Sequence, residues 1–164
     1  MSDDTPWLSE DELLAWLHLV GVLTTLPAAI DAQLKRDASV NFFEYSILSV
    51  LSVRPRRSMQ MATLAVLTNG SQSRLSHAVS RLERAGWVDR RQCPGTDPRH
   101  VEAVLTDAGM AKVVEIAPGH VREVRRTVID PLTSEDVAQL RTVCEKILKA
   151  TGPAVLDTID ETRR

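Results

Sequence analysis

The sequence contains little of what disulfide scaffolds, metalloproteins and most enzymes need. Its 164 residues include only two cysteines, Cys93 and Cys144, which lie far apart and form no standard zinc-ligand spacing. It has no phosphate-binding glycine loop, no serine nucleophile elbow and no paired metal-ligand motif. These absences argue against a structural disulfide, a metal site and an enzyme, and we expect no cofactor and no catalytic residues.

Signals for a membrane or for export are also missing. No apolar run reaches the roughly 18 residues needed to cross a bilayer. The first six residues, Met-Ser-Asp-Asp-Thr-Pro, are acidic where a secretory signal would be basic. With 43% hydrophobic and 26% charged residues, the composition is typical of a soluble globular domain. We therefore expect a cytoplasmic protein with no membrane partner.

Lysine is absent from the most basic third of the chain. Between Arg54 and His100, nine arginines and three acidic residues give a net charge of +6, so the rest of this −2 chain carries −8. A solvated face usually mixes both signs and uses lysine, although an ordinary arginine-rich surface remains the alternative. Arginine binds phosphates and guanine edges in bidentate fashion, and this distribution therefore favours a nucleic-acid partner.

Within that basic third, residues 72–85 have the pattern of a DNA recognition helix. Ser71 is the predicted N-cap and Gly86 the predicted C-terminal stop. Apolar residues recur at helical spacing: Leu75, Ala78, Val79, Leu82 and Ala85. The opposite face is small, polar and cationic: Ser73, Ser76, His77, Ser80 and Arg84, flanked by Arg74 and Arg81. Such a face can approach a groove closely and reach phosphates and base edges.

The segments around this helix complete a winged helix-turn-helix. Residues 87–91 and 101–105 read as two strands joined by a turn-rich segment, which predicts a basic hairpin. Upstream, the pattern predicts helices over 42–53, capped by Ser39 or Asn41, and over 59–67, capped by Ser58. A tight turn at 68–70 then leads into the recognition helix, as in a helix-turn-helix.

Long apolar helices are predicted at both ends of the chain. A capping box at Ser9 and Glu12 opens a helix to about residue 36 that is apolar on nearly every side, with a kink expected at Pro27. After the hairpin, Thr106 caps a helix that Pro118 and Gly119 should break or bend, and Thr133 caps another over 134–151 before a partly helical tail. A helix this apolar implies burial against a second copy. We expect a two-fold dimer that reads a pseudo-palindromic DNA site.

The expected fold class is thus mainly α with a small two-stranded β wing. Residues 1–37 are interpreted as an N-terminal dimerisation helix, 38–107 as the winged helix-turn-helix DNA-binding domain and 108–164 as C-terminal dimerisation helices.

The run SQSRLSHAVSRLERAGWVDRR, followed by DPRHVEAVLTDAG, resembles the MarR family of bacterial transcription regulators. The resemblance covers nearly the whole chain and is most specific over 42–109. It implies that Arg99 enters the minor groove and that Asp97 orients it, where the alternative is a plain turn with a solvated arginine. It implies recognition-helix contacts from Ser71, Gln72, Ser73, Arg74, Ser76, His77 and Arg81. Gln72 and Arg74 are the candidates for base readout, Arg90 and Arg91 for backbone contacts, and His77 either contacts phosphate or is simply solvated.

The resemblance also implies a small-molecule switch and association with the nucleoid. Many members bind anionic or phenolic compounds between the dimerisation helices and the winged domain. The residues of this chain expected to line that crevice are Trp16, His18, Val20, Phe43, Ile47 and Arg54. An apolar stripe at helical spacing is, alternatively, plain core.

The leading hypothesis is a homodimeric, ligand-released repressor of a pseudo-palindromic operator. The alternatives are a winged-helix protein-interaction module, in which the arginine face is dispensable, and a redox- or metal-responsive regulator. Redox sensing would act through Cys93 beside the arginines of the wing, and a metal site would have to be assembled across the dimer.

Overall fold

A computed structural model of the protein describes residues 5–92 and 101–161. The helices within these ranges are α1 (Glu10–Ala38), α2 (Phe42–Ser52), α3 (Met61–Leu67), α4 (Gln72–Arg84), α5 (Asp107–Val124), α6 (Ser134–Thr151) and α7 (Pro153–Glu161). The strands are β1 (Ser58–Gln60), β2 (Val88–Gln92) and β3 (Val101–Leu105). A 3-10 turn at Pro55–Arg57 precedes β1, and a π-helical turn at Arg125–Ile129 follows α5. The mainly helical fold class with a small β wing is confirmed.

Side-chain caps fix where the helices begin, because the first backbone N–H groups of a helix have no partner within it. The predicted capping box of Ser9 and Glu12 opens α1. Asn41, one of the two predicted caps, opens α2 together with Glu44, and Thr133 opens α6 together with Asp136. These caps account for the agreement between predicted and observed helix starts.

The sheet has one strand more than the sequence predicts. Its order is β1–β3–β2, with both pairs antiparallel, so that Met59 and Arg90 lie on either side of Ala103. The predicted start of the third helix at Met59, with Ser58 as its cap, is wrong. Ser58–Gln60 instead pair with the edge of β3 that the hairpin leaves open, and the helix begins at Met61. Pairing satisfies the backbone groups of both segments, which a frayed first helical turn would not.

The helix after the wing is continuous at Pro118 and Gly119, where the sequence predicts a break or a bend. α5 runs without interruption from Asp107 through Pro118 to Val124, and the helical path continues to Ile129. A proline inside a helix removes one backbone hydrogen bond, and exposed Pro118 places that loss on the solvent side. Ile116, two residues earlier, is buried against α1 and α2, and this packing holds the helix together across the proline.

Two hydrophobic clusters form the interior. The first joins α2, α3 and α4 to the sheet and contains Phe43, Ile47, Leu48, Leu51, Leu64, Ala65, Leu75, Ala78, Val79, Leu82, Val88, Ala103 and Leu105. The second joins the C-terminal half of α1 to α2 and α5 and contains Ile30, Leu34, Val40, Tyr45 and Ile116. Because α2 contributes to both, it connects the winged domain to the long helices.

The N-terminal half of α1 and the outer side of α6 leave large apolar side chains uncovered. They include Leu13, Leu14, Trp16, Leu17, Val20, Val22 and Leu23 of α1 and Leu140, Val143 and Ile147 of α6.

Among the described residues α1 is also the one helix long and apolar enough to cross a membrane, with a window of mean hydropathy 1.9. The expectation that no run is long enough is therefore wrong, since no charge interrupts residues 13–30. Length and composition alone are weak evidence for a span, because helices buried between subunits share them.

His120 is expected to make the stability of the fold sensitive to mild acid. Its ring lies 4.6 Å from that of Tyr45, and its Nδ1 has no hydrogen-bond partner among the described residues. Burial lowers the pKa of His120 below its ordinary value of 6.5. The unfolded chain therefore binds the proton more readily, so the free energy of unfolding should be highest above pH 6.5 and fall as the pH drops below that value.

Urea unfolding between about pH 5 and pH 7.5 measures this effect against a His120→Phe variant, which keeps a ring beside Tyr45 but cannot be protonated. We expect the variant to lose the decline that begins near pH 6.5. Carboxylates with lowered pKa, such as Asp31 beside Lys35, weaken the fold only in stronger acid. An identical slope in both proteins over this range would contradict the assignment to His120.

Candidate nucleic-acid interface

Helix α4 divides into a buried and an open side, as the pattern predicts. Leu75, Ala78, Val79 and Leu82 are buried in the first cluster, whereas Ala85 at the helix end is exposed and does not belong to the stripe. The exposed residues include all seven predicted contacts: Ser71, Gln72, Ser73, Arg74, Ser76, His77 and Arg81. Ser71 begins the helix by accepting a hydrogen bond at Oγ from the Arg74 N–H, at 3.1 Å. Gly86, with φ +75°, ends it in the conformation that favours glycine.

Two arginines of α4 are held by the N-terminus of α2. The guanidinium carbon of Arg74 lies 4.1 Å from the centroid of the Phe43 ring. Arg81 donates from Nε to Oε1 of Glu44, at 2.5 Å, while Oε2 of that largely buried carboxylate accepts the Asn41 N–H. This role of Glu44 is not among those predicted from the sequence. The Asn41-x-x-Glu44 spacing marks a capping box, but it does not indicate a partner 37 positions further along the chain.

The wing is tied to α4 by Arg90. This side chain donates to the Ser76 carbonyl at 2.7 Å and to Ser80 Oγ at 3.1 Å, and it forms an ion pair of 2.9 Å with Glu83. Arg91, in contrast, is exposed, and its carboxylate partner among the described residues is Asp89, at 3.9 Å. Of the two wing arginines predicted to contact DNA, Arg90 therefore fixes the wing against the helix, and Arg91 is open to a phosphate.

The tip of the wing lies outside the described residues. The predicted minor-groove pair, Asp97 and Arg99, falls within that stretch, and so does Cys93, the candidate redox residue. Strands β2 and β3 lead to this tip from Gln92 and Val101, which are paired with each other.

Ion pairing reduces the charge that the basic third offers to an anion. Arg54, Arg57, Arg81 and Arg90 pair with Glu161, Asp107, Glu44 and Glu83 respectively. Arg74, Arg84 and Arg91 are exposed on α4 and β2. Arg56 is also exposed, in the 3-10 turn before β1. Among the described residues of this basic third the open arginines thus lie on the recognition helix, the wing and this turn, which a simple count of arginines does not reveal.

The six residues expected to line a ligand crevice lie in different surroundings within the described part of this single chain. Trp16, His18 and Val20 are exposed on α1, where His18 Nδ1 lies 2.7 Å from the Leu14 carbonyl. Ile47 is fully buried in the first cluster, and Arg54 is bound to Glu161 of α7. Helical spacing on α1 and α2 cannot show that the two stripes face different neighbours. Phe43 is the member of the set that lines a described cavity.

That cavity, of about 970 Å3, lies between α1, α2 and α4. Its lining combines four basic side chains with two phenylalanines, and includes Asp31, Lys35, Phe42, Phe43, Arg74, His77 and Arg81. Asp31 is already engaged, since it pairs with Lys35 at 2.7 Å and accepts the Phe42 N–H. The cavity therefore shares three residues with the exposed face of α4.

The described residues contain no cluster of three or more histidine, cysteine or acidic side chains placed to hold a metal ion. Cys144 is an exposed free thiol on α6.

Comparisons with known proteins agree with this geometry. No family-wide sequence profile matches the chain. The chain is 29% identical over 137 residues to the HTH-type transcriptional regulator PecS of Dickeya dadantii, covering 80% of each protein. It is 39% identical to Sco3205, a MarR family regulator from Streptomyces coelicolor solved in complex with DNA, with a TM-score of 0.85 and coverage of 93% of this chain and 94% of the other.

A second solved structure supports the same assignment. AbsC, another MarR family regulator from Streptomyces coelicolor, is 36% identical, with a TM-score of 0.80 and coverage of 89% of this chain and 97% of the other. These relatives are regulators and not enzymes, in agreement with the missing catalytic motifs. With a winged helix-turn-helix whose recognition helix presents an open cationic face, the chain belongs to the MarR family of DNA-binding transcriptional regulators.

Proposed function

We propose that the protein is a homodimeric repressor that binds a pseudo-palindromic operator and is released from it by a small anionic or phenolic ligand. The observation that carries the proposal is the outer face of α4, where exposed serines, glutamine and arginine lie directly above a buried apolar stripe. This arrangement fixes the helix to the domain while leaving its polar face free to enter a major groove.

Dimerisation is supported by the uncovered apolar surface of α1 and α6. Trp16, Leu17 and Leu23 are each more than half exposed in the single chain. Monomeric proteins rarely expose contiguous apolar surface on this scale. A two-fold axis along these helices would bury that surface and present two copies of α4 to successive major grooves, which accounts for a pseudo-palindromic site.

Within each half-site, Gln72 and Arg74 are proposed to read bases, because amide and guanidinium groups pair in bidentate fashion with adenine and guanine. The other exposed residues of α4 position the helix: Ser71, Ser73, Ser76, His77 and Arg81. Arg91 is proposed to contact the DNA backbone, while Arg90 holds the wing in place. Arg99 is proposed to enter the minor groove, oriented by Asp97.

Release by a ligand is supported by the cavity between α1, α2 and α4. About 970 Å3 is sufficient for a small aromatic compound, and Lys35, Phe43 and Arg74 offer charge and ring contacts suited to an anionic or phenolic one. Because Arg74 belongs to both the cavity and the DNA face, an anion bound there would compete with the operator for the same guanidinium.

Selection of bound sequences from random duplex DNA at near-physiological salt, followed by footprinting, tests the proposal. The expected result is an enriched pseudo-palindrome with half-sites one helical turn apart, occupied by one dimer. Benzoate, an aromatic anion, is then added to the complex of the protein with the selected operator, and it is expected to release the protein from the DNA. Binding without any enriched sequence would contradict operator recognition.

A further inference from the structure

The guanidinium of Arg74 contacts an aromatic ring from a different helix, α2. Phe43 is the second residue of α2, and its ring belongs to the buried core of the winged domain. The ring face nevertheless meets the guanidinium of Arg74 at 4.1 Å, a distance at which a cation is attracted to the π-system. A core residue is therefore also in contact with a residue proposed to read DNA.

Gly70, in the turn before α4, makes room for this ring. A Cβ atom at Gly70 would lie 2.6 Å from Cζ and 2.8 Å from Cε2 of Phe43, closer than real Cβ contacts permit. The backbone of Gly70 does not have a positive φ, so its conformation alone does not require glycine. The Phe43 ring is what excludes a side chain at this position.

The next residue of α2 acts on the same face of α4. Glu44 binds Arg81, which follows Arg74 by two helical turns, through the hydrogen bond to Nε. Two consecutive residues of α2 thus hold two arginines of the recognition helix that lie one above the other. The contact is made differently in each case, since Glu44 accepts a hydrogen bond from Arg81 whereas the guanidinium of Arg74 lies over the ring of Phe43.

We infer that Phe43 is a specificity-determining positioning residue, which holds the Arg74 guanidinium in the orientation that base readout requires. Gly70 leaves the space that the Phe43 ring occupies. The inference rests on the proposed function, in particular on readout by Arg74. A cation–π contact attracts the guanidinium as a whole and needs no acceptor atom, so the N–H donors of Arg74 stay available to a base. A restrained guanidinium also loses less rotamer freedom when it binds, which favours the correct base over competitors.

The test is a double-substitution cycle of Phe43→Leu and Arg74→Ala, read out by sequence selection and by affinity for the selected operator and for random DNA. Leucine fills most of the ring's volume but has no π-system. We expect Phe43→Leu to weaken operator binding about two- to fivefold per half-site, to relax the same base position as Arg74→Ala, and to have no further effect once Arg74 is alanine. Gly70→Ala should relax that position as well, because its Cβ displaces the ring.

Leu48→Val, a truncation in the same core away from Arg74, controls for general destabilisation, and urea unfolding confirms that each variant is folded. Equal losses on operator and random DNA, or a loss that persists in the Arg74→Ala background, would overturn the role of Phe43 while the operator itself still stands. A wild-type protein that enriches no sequence would overturn the proposed function, and this inference with it.

Discussion

Replacing Leu17 and Leu23 of α1 by glutamate is expected to convert the protein from a dimer into a monomer and to weaken operator binding about a hundredfold or more. Both leucines are more than half exposed in the single chain, so the fold of each protomer should tolerate the change. They lie about 120° apart around the helix, so the pair places charge on two sides of a helix that is apolar all round. Glutamate has a helix propensity close to that of leucine, which leaves α1 intact.

The size of the effect follows from symmetry. Full burial of a leucine side chain contributes about 1.5–3 kcal/mol, and only about half of each of these side chains is left for a partner to cover. The four sites of a two-fold interface therefore contribute about 3–6 kcal/mol, so the dissociation constant of the dimer should rise by about a hundredfold to ten-thousandfold. Analytical ultracentrifugation measures this rise, and the matched double substitution to methionine, which keeps the surface apolar, should remain dimeric. A glutamate variant that stays dimeric would show that α1 is not the interface. Wild-type protein that sediments with lipid vesicles would instead indicate that the apolar surface of α1 contacts a membrane.

Most helices of this fold are determined by local sequence, and those helices could be predicted. The caps at Ser9, Ser71 and Thr133 act on backbone groups within three residues, so their positions in the sequence locate the helix starts directly. Strand β1 was missed for the opposite reason. Ser58–Gln60 have no strand-like pattern, and they pair because β3, more than 40 residues later, offers an open edge. The unbroken passage of α5 through Pro118 likewise depends on packing by α1 and α2.

The nucleic-acid interface likewise combines features set by local sequence with features set by the tertiary fold. The open face of α4 follows from a period of 3.6 residues, and the pattern predicts it correctly except at Ser80, which Arg90 partly covers, and at Ala85, which is exposed. The supports of that face were not predictable, because Glu44 reaches Arg81 and Arg90 reaches Ser76 only through the tertiary fold. The predicted ligand set came from a family resemblance, and it grouped Ile47, a core residue, with Arg54, which pairs with α7. An analogy between folds does not determine which side chains line a particular cavity.

Replacing Arg74 by alanine is expected to cost about 1–3 kcal/mol of operator affinity per half-site, and about twice that for a dimer that contacts both. Arg74 lies in the first turn of α4, exposed, with its guanidinium supported by Phe43. Loss of a bidentate pair removes discrimination against the wrong bases at one position. Sequence selection with the variant should therefore show one relaxed base pair in each half-site, with the neighbouring positions unchanged.

Two matched variants separate base readout from simple loss of charge. Arg91→Ala removes the same charge from the exposed wing, and it should weaken operator and random DNA equally and reduce the salt dependence of both. Arg74→Lys keeps the charge but not the planar fork, and it should retain binding to random DNA while losing most of the discrimination. If Arg74→Ala instead weakens both DNAs equally, as Arg91→Ala does, then Arg74 contacts phosphate, and base readout on α4 falls to Gln72, whose amide pairs with adenine and not guanine. The identity of the relaxed base pair therefore decides between the two side chains.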